Sequence, residues 1–593
     1  MQEELDVKIF ISGHKPCFEV KNEIFVPARQ KEIIAALEQG TEEDRFMAAR
    51  ANEYCELLTQ YWAWKYVQAD YYGFGHYRRY FDFSDEKLRS RRPALQEKYL
   101  HARTAAAHGL YDVARIRRML SRCDVLASVP FNYYIKSVRW QYENSGTLHV
   151  ADLDAVTEII RTDYPAYYAA AKKYLGGHYM YTCNMFVMKR EVFSAYSEWL
   201  FGILRKFYER RDMRALGYSR EAMRTPGHLG ERLFGIYLTW LGMRKKYRIG
   251  RRGIVTFGDT EPSLSDTEAL CGPRPLVMSV SYQTVPQAAA ALYSLAHTAK
   301  EKYSVLVLAE DVPAKDRAKL RQAGEGLPMQ FADVGRIADE FSSGVRDARA
   351  RTAQALFALP HLCPKAERVV YMGSFCIALK DLGDLWEMPA EECIVAAADV
   401  FAEGAKSGYS KRLSALYAGL CGKNRVIGTG VMVLDFAAMR KAYSLDKLFS
   451  APVCAGENSL LFLANALCGG GSASLGAVWN YRPEETDSDR YYAITQAPAP
   501  LFADWQAAER TAAIYDFSGG EKPWQDVWSA HAQVFWSVAR QTPFAEGLLL
   551  QGKKPRRRMV EGGNVVFAWI FCKLFPRGSR RRNALKKLFG KRR

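Results

Sequence analysis

The run Asp70-Tyr-Tyr-Gly-Phe-Gly-His-Tyr-Arg-Arg-Tyr-Phe81 gathers the chain's most reactive residue types into one short stretch. Its aromatic, apolar start has the composition of a strand and closes on His76, Arg78 and Arg79. At a strand end inside a cleft, these side chains offer guanidinium and imidazole donors to an anion. A diphosphate fits them well. Arginine forks onto phosphate oxygens through paired, charge-assisted hydrogen bonds, and charge developing on a departing diphosphate is what fixed donors stabilise. His76 adds another donor, or an acid toward the departing phosphate. The plainer alternative is a strand end whose arginines are held in salt bridges.

Transfer from such a donor to a hydroxyl group also needs a base. Glu231, after Gly230 and a Pro226-Gly227 pair read as a turn, is the candidate. The competing reading is a carboxylate complementing a helix dipole. His14 and Lys15 follow the first predicted strand, and ligands of α/β sheets sit beyond the carboxyl ends of the strands. A nucleotide contact and a turn-capping role fit His14 equally. His149, behind Gln141-Tyr142, carries a weaker signal. Trp62 and Trp64 recur at helical spacing and read as core, and Asp124 is assigned no chemistry.

The elements that must position these residues alternate. Val7–Ser12, Asp70–Phe81, Asp124–Val129 and Tyr181–Met188 read as strands. Arg29–Tyr66, Ala155–Tyr174 and Arg190–Arg210 read as helical. After Cys271-Gly-Pro-Arg-Pro275 the rhythm restarts, with strands at Leu276–Val280, Tyr303–Leu308, Arg368–Met372 and Arg425–Leu434 and helices at Pro286–Lys300 and Ala314–Gln322. Short apolar strands between longer helices predict an α/β layered fold. The recurrence predicts two copies of one architecture, with a boundary near 265–275.

Length and composition agree. A chain of 593 residues exceeds one core, and 49% hydrophobic content with 13% aromatics excludes a disordered protein. Twelve cysteines without C-x-x-C or zinc spacing predict thiols in a reducing compartment. The acidic start, Met-Gln-Glu-Glu-Leu-Asp, has no apolar core of a secretory signal. No run approaches the ~20 apolar residues of a membrane-spanning helix. Of the net charge of +18, most comes from the final stretch, where Lys553–Arg593 holds fifteen Lys or Arg against the single acid Glu561. That segment also holds Asn564-Val-Val-Phe-Ala-Trp-Ile-Phe-Cys-Lys-Leu-Phe575, too short to span a bilayer and suited to an anionic membrane surface. A solvated tail packed on the body is the plainer alternative. The body lacks a nucleic-acid-binding module, so no nucleic-acid partner is expected.

Several pieces of the N-terminal half resemble the bacterial family called domain of unknown function 4422, found with capsule and exopolysaccharide synthesis. They include Lys8-Ile-Phe-Ile with His14-Lys15-Pro16, Glu56-Leu-Leu-Thr59 with Tyr61-Trp-Ala-Trp-Lys65, and His76-Tyr-Arg-Arg-Tyr-Phe81. Further on come Gln141-Tyr142 with His149, Asn184-Met-Phe-Val-Met188, Glu198-Trp-Leu-Phe201 and Gly230-Glu-Arg-Leu233. The resemblance covers roughly residues 7 to 242. It implies a GT-A-like glycosyltransferase, with some members thought to transfer galactofuranose, and places Asn184 with His14, Lys15, Arg78 and Arg79 among nucleotide-sugar contacts.

Roughly residues 275 to 545 resemble glycosyltransferase family 8. The matches are Leu276–Pro286, Ala288–Leu295, Arg368-Val-Val-Tyr-Met372 with Asp381-Leu-Gly-Asp-Leu-Trp386, Gly430-Val-Met-Val433, Trp479-Asn-Tyr481 and Ser518-Gly-Gly-Glu-Lys-Pro-Trp524. The functional positions of that family depart. Gly373-Ser-Phe375 stands in the Asp-x-Asp metal slot, and neither Gly nor Phe supplies the side-chain oxygen that Mn²⁺ or Mg²⁺ wants. Gly428 stands for an asparagine, Asp516 for a late metal-binding histidine, and Ser281 and Thr284 for nucleotide contacts. An inactive second domain is expected.

Together these readings predict an α/β protein of two GT-A-like nucleotide-sugar transferase domains, 1–268 and 269–548, plus a basic amphipathic tail, 549–593. The expected function is glycosyl transfer in bacterial capsule, exopolysaccharide or lipopolysaccharide assembly. Sugar would pass from a nucleotide donor, a UDP-sugar, to a lipid-linked glycan. Glu231 and His76 would be catalytic, and no metal or other cofactor is expected. The protein would be cytoplasmic and peripheral on the inner face of the plasma membrane, docked through its tail. The alternative is a non-catalytic glycan-binding or scaffold protein of two degenerate transferase folds.

Overall fold

The computed structural model describes residues 5–84, 94–262, 264, 270–389, 392–406, 425–450, 456, 458–467, 472–484 and 489–552. Of the basic tail expected to meet a membrane, 549–593, residues 553–593 lie outside them. By the density of its internal contacts the chain divides into two compact units, Met1–Thr267 and Glu268–Arg593.

The first unit is built on β1 (Val7–Gly13), β2 (Phe25–Arg29), β3 (Tyr71–His76), β4 (Arg79–Phe81), β5 (Ala94–Tyr99), β6 (Val125–Ser128), a small ribbon of β7 (Phe131–Asn132) with β8 (Tyr179–Met180), β9 (Phe186–Lys189), β10 (Ile249–Arg252) and β11 (Ile254–Asp259). Neighbouring strands run β2-β1-β3-β9-β6-β10, and a branch β4-β11-β5 leaves β3. Strands β2, β1 and β3 are mutually parallel, β9 runs against β3 and β6, and β10 is parallel to β6. Side chains alternate across the sheet. Phe10, Tyr72, Phe74 and Phe186 meet α3 (Arg190–Arg210) and α4 (Thr225–Arg244) on one face. Ile9, Ile11, Tyr71 and Leu126 meet α2 (Val113–Leu120) on the other.

The long helix α3 has the bounds read from its periodicity, and the opening strand is longer by one residue. Several predicted elements differ, among them the 155–174 helix, which is two helices, Val150–Asp163 and Tyr168–Leu175, joined through a short turn at Pro165–Tyr167. The helical 29–66 segment is four shorter helices, the last being α1 (Leu57–Tyr66). The run at 70–81 is a hairpin: β3 stops at His76, Tyr77-Arg78 turn the chain, and Arg79 pairs back onto His76. Pro226-Gly227 is no turn but the first turn of α4, since proline at the start of a helix loses no intrahelical hydrogen bond.

The second unit has a seven-stranded sheet. Its strands are β12 (Pro275–Ser281), β13 (Ser304–Glu310), β14 (Met329–Asp333), β15 (Arg368–Met372), β17 (Ile394–Ala398), β18 (Ile427–Asp435) and β19 (Ser472–Leu475), ordered β14-β13-β12-β15-β18-β17-β19. A separate pair joins β16 (Cys376–Ala378) to β20 (Ile514–Asp516). Here too three consecutive strands, β13, β12 and β15, are parallel, β18 runs against its neighbours β15 and β17, and β19 is parallel to β17. The six-strand pattern of the first sheet therefore recurs.

Candidate active site

In the first unit, β1 and β3 are parallel with Ser12 beside His76, so the residues leaving both strands emerge together at the carboxyl edge. Tyr77 organises them. Its backbone N–H donates to the Ser12 carbonyl (3.0 Å). Its buried ring contacts the imidazoles of His14 and His76, with centroids 5.2 and 4.3 Å away, and the Lys15 ammonium lies 5.4 Å from the same ring. The Ser12 hydroxyl donates to Thr59 of α1 (3.0 Å), tying that helix to the strand end.

Arg78 is exposed and Arg79 half-buried. Among the described residues neither guanidinium has a carboxylate partner, so the salt-bridged strand end is not what the chain builds. The Arg78 backbone N–H points at Nδ1 of His76 (3.4 Å), which makes Nδ1 the acceptor and leaves Nε2 to carry the proton. Burial, then Arg79, Arg78, His14 and Arg224, holds the His76 imidazole down to about 3. At neutral pH His76 is therefore a neutral N–H donor in the ligand-free protein and has no proton to give as an imidazolium. A bound diphosphate would reverse the local sign of charge.

Glu231 projects from the second turn of α4, its side chain only 17% exposed. Oε1 accepts from the Cys183 backbone N–H (2.6 Å) and Oε2 from the Arg232 guanidinium (2.7 Å). Arg232 is itself buried, donating also to the His228 carbonyl (3.1 Å) and to Gln141, so the pair is held from both sides. Burial pushes the Glu231 carboxyl up and Glu56 adds to the rise, against Arg232, the Cys183 N–H and Arg79. Arg79 acts on both His76 and Glu231, which puts cationic donors and carboxylate in one neighbourhood.

Cys183 and Asn184 have φ of 74° and 47°. Left-handed backbone is tolerable for asparagine and costly for cysteine. The strain turns the Cys183 N–H onto Glu231 and shortens the predicted 181–188 strand to β9. Asn184 is buried, and its Nδ2 donates to Glu56 Oε1 (3.1 Å) and to the Gly227 carbonyl (3.1 Å). These bonds hold Glu56 and α4 in place. Sequence reasoning overlooked Glu56, Arg224 and Arg232. Glu56 stands at the start of α1 without capping it, and its partner Asn184 lies 128 residues away. Cys55, just before it, has φ of 52° and accepts at Sγ from Arg224 Nε (3.3 Å).

Comparison with known proteins bears on this region directly. Residues 8–242 match the family model described as a domain of unknown function, DUF4422. No curated protein matches. Among solved structures, the apo form of the bifunctional glycosyltransferase WbbM is 22% identical with a TM-score of 0.63, covering 92% of this chain and 99% of its own. Galactosyltransferase LgtC, in complex with donor and acceptor sugar analogues, covers 45% of this chain and 96% of its own at 15% identity and a TM-score of 0.36. The first likeness shows a shared α/β, GT-A-like fold over nearly the whole chain.

In the second unit β15 leads into Gly373-Ser374-Phe375. Phe375 stacks on Trp524 (5.3 Å, 15°), with the Lys522 ammonium 5.2 and 5.6 Å from the two rings. A Cβ on Gly430 would collide with Asp516 Oδ2 and Asn480 Oδ1, so the buried Asp516 is pressed against the sheet backbone. Its oxygens accept from Ser518 N–H (2.8 Å) and Ser518 Oγ (2.9 Å). These residues do not fit a divalent cation: the one carboxylate is already bonded to serine, and Gly373 and Phe375 supply no side-chain oxygen. Among the described residues no helix is long and apolar enough to cross a membrane.

Proposed function

We propose that the first unit, 1–268, is a glycosyltransferase. It would pass a sugar from a nucleotide donor to the hydroxyl of a lipid-linked glycan in bacterial capsule, exopolysaccharide or lipopolysaccharide assembly. The observation that carries this is the set of unpaired donors at the carboxyl edge of β1 and β3, beside an acid whose affinity for protons is raised. Arg78 and Arg79 clamp the diphosphate of a UDP-sugar, His14 and Lys15 extend the cationic rim, and neutral His76 donates through Nε2. Glu231 accepts the acceptor hydroxyl proton, and Arg79 links the two halves of the reaction electrostatically. Guanidiniums where related folds place acids favour charge neutralisation by the protein itself. The likeness to WbbM, a bifunctional glycosyltransferase, supports glycosyl transfer, and the resemblance carried by His76–Phe81 favours galactose in its furanose form as the sugar.

The second unit, 269–548, would be an inactive transferase that positions the acceptor, since its strand end is occupied by the Phe375–Trp524 stack. The segment 549–593 would dock the cytoplasmic protein on the anionic inner membrane face through its cations, at about 1 kcal/mol each near the surface. The deciding experiment measures UDP-galactofuranose turnover and binding for the wild type, Arg78→Ala and Glu231→Gln. Loss of turnover in both variants, with folding intact, supports the assignment. A wild type that binds no nucleotide sugar would return the protein to the scaffold reading. A chain ending at 552 should lose flotation with phosphatidylglycerol vesicles; retained flotation removes the tail's role.

A further inference from the structure

A cavity of about 550 Å³ opens in the first unit between α2 and the edge strand β10, within the ~300–1,000 Å³ range of small-ligand sites. It is not the site described above. From β3 to β10 the sheet steps across β9 and β6, roughly 14 Å at the usual strand spacing. Gly250 forms part of the lining. Register pairs it with Leu126, on the face covered by α2, and a Cβ there would come within 3.2 Å of Leu126 Cδ1 and 3.4 Å of Cys123 Sγ. Glycine leaves that space open.

One wall carries Arg115, Arg118 and Arg122, spaced to share a face of α2 and the turn after it. The opposite wall carries Arg248 and Arg252; Arg251, also at the cavity, instead donates to the Tyr181 hydroxyl (3.2 Å) on the other sheet face. Among the described residues counter-charge is scarce for three of these arginines, Arg118, Arg122 and Arg252. Arg115 has Asp112 at 3.1 Å, and Arg248 shares Asp124 with Lys189, each at 3.3 Å. Arg252 donates to the thioether of Met119 (3.1 Å), a weak acceptor. The side chains of Arg118 and Arg122 have no polar partner among the described residues. The helix dipole accounts for a cation in the last turn of α2, but not for guanidiniums converging from a strand. Like charges around one cavity repel, and an anion relieves that cost.

We propose that this cavity is a second anion site, built for a ligand with two or more phosphoryl groups. Among the described residues Arg118, Arg122 and Arg252 meet no carboxylate; these three positive charges are more than one phosphate neutralises, and the two walls present forks from opposite sides. A soluble diphosphate and the diphosphorylated headgroup of a lipid share this chemistry. The inference stands apart from the transfer reading.

The test compares the full-length wild type with the double variant Arg118→Gln, Arg122→Gln, whose side chains are exposed and whose replacement spares the core. Inorganic pyrophosphate is titrated calorimetrically, and flotation is measured with phosphatidylcholine vesicles with and without cardiolipin. The basic tail is common to both proteins. The wild type should bind one more equivalent of pyrophosphate than the variant, or bind that equivalent at least tenfold more tightly. Loss of this equivalent alone identifies a soluble ligand, and loss of cardiolipin-dependent flotation identifies a lipid headgroup. An Arg78→Ala protein should keep the equivalent, which separates failure here from failure at the strand edge. Equal pyrophosphate binding and equal flotation in wild type and double variant overturn the proposal.

Discussion

In the first unit β3 ends on His76 and hands over to Arg78 and Arg79, side chains that meet no carboxylate among the described residues. In the second, β15 occupies the same place in the same strand order, and its exit residues are Gly373, Ser374 and the stacked Phe375. Both strands lie between a parallel and an antiparallel neighbour. The backbone frame thus presents one kind of strand exit twice, and side-chain chemistry decides what each does. Unpaired cations at an open edge are poor for stability and useful to an anion. An aromatic pair is worth about 0.5–1.5 kcal/mol beyond its burial and is useless to a diphosphate.

The sharpest way to break this contrast is Glu231→Gln. If the first edge is the reactive one, turnover should fall about 10²–10⁴-fold with donor binding kept. Turnover within tenfold of wild type would mean that the base lies elsewhere, with Glu56 the next to replace. Arg78→Ala should cost about 10²–10³-fold and weaken donor binding as well; an unchanged KM with unchanged kcat would remove the clamp from the mechanism.

Acid dependence separates the two edges further. The unfolded chain protonates His76 near the ordinary 6.5, whereas the folded protein refuses that proton until about 3. Stability contributed by this group therefore falls as pH drops through that window. His76→Gln should flatten the slope of urea stability against pH by up to about one proton; an unaltered slope would show that His76 is not held neutral. Glu231 works in the other sense, its raised carboxyl moving the acid limb of the pH–rate profile above the ordinary ~4.3 of a glutamate. The smallest effect is expected in the second unit. Phe375→Ala should lower stability by about 1–2 kcal/mol, through lost stacking and partial burial, and leave turnover alone. A turnover loss matching that of Arg78→Ala would erase the distinction between the units.

Much of the frame was legible from residue pattern. Helix α3 and strand β15 have the bounds that periodicity assigns, because long amphipathic and short continuous apolar runs are the strongest local signals. The hairpin at Tyr77-Arg78 was not legible, since neither residue is a turn former and the reversal is set by Tyr77 packing between His14 and His76. Nor was the break before β9, where Cys183 takes a backbone conformation that its side chain disfavours.

The amino-acid sequence alone determined the α/β class, the doubled strand rhythm and the concentration of imidazole and guanidinium groups at one predicted strand end. All of these follow from local composition and spacing. Tertiary structure alone decided that Arg78 and Arg79 stay unpaired, that His76 is neutral, and that Glu231 meets Arg232, the Cys183 N–H and the charge of Glu56. Those outcomes depend on burial and on partners as distant in sequence as Glu56 and Glu231. A proton's affinity for a side chain is set by the charges and solvent around it, and only the folded chain assembles that environment.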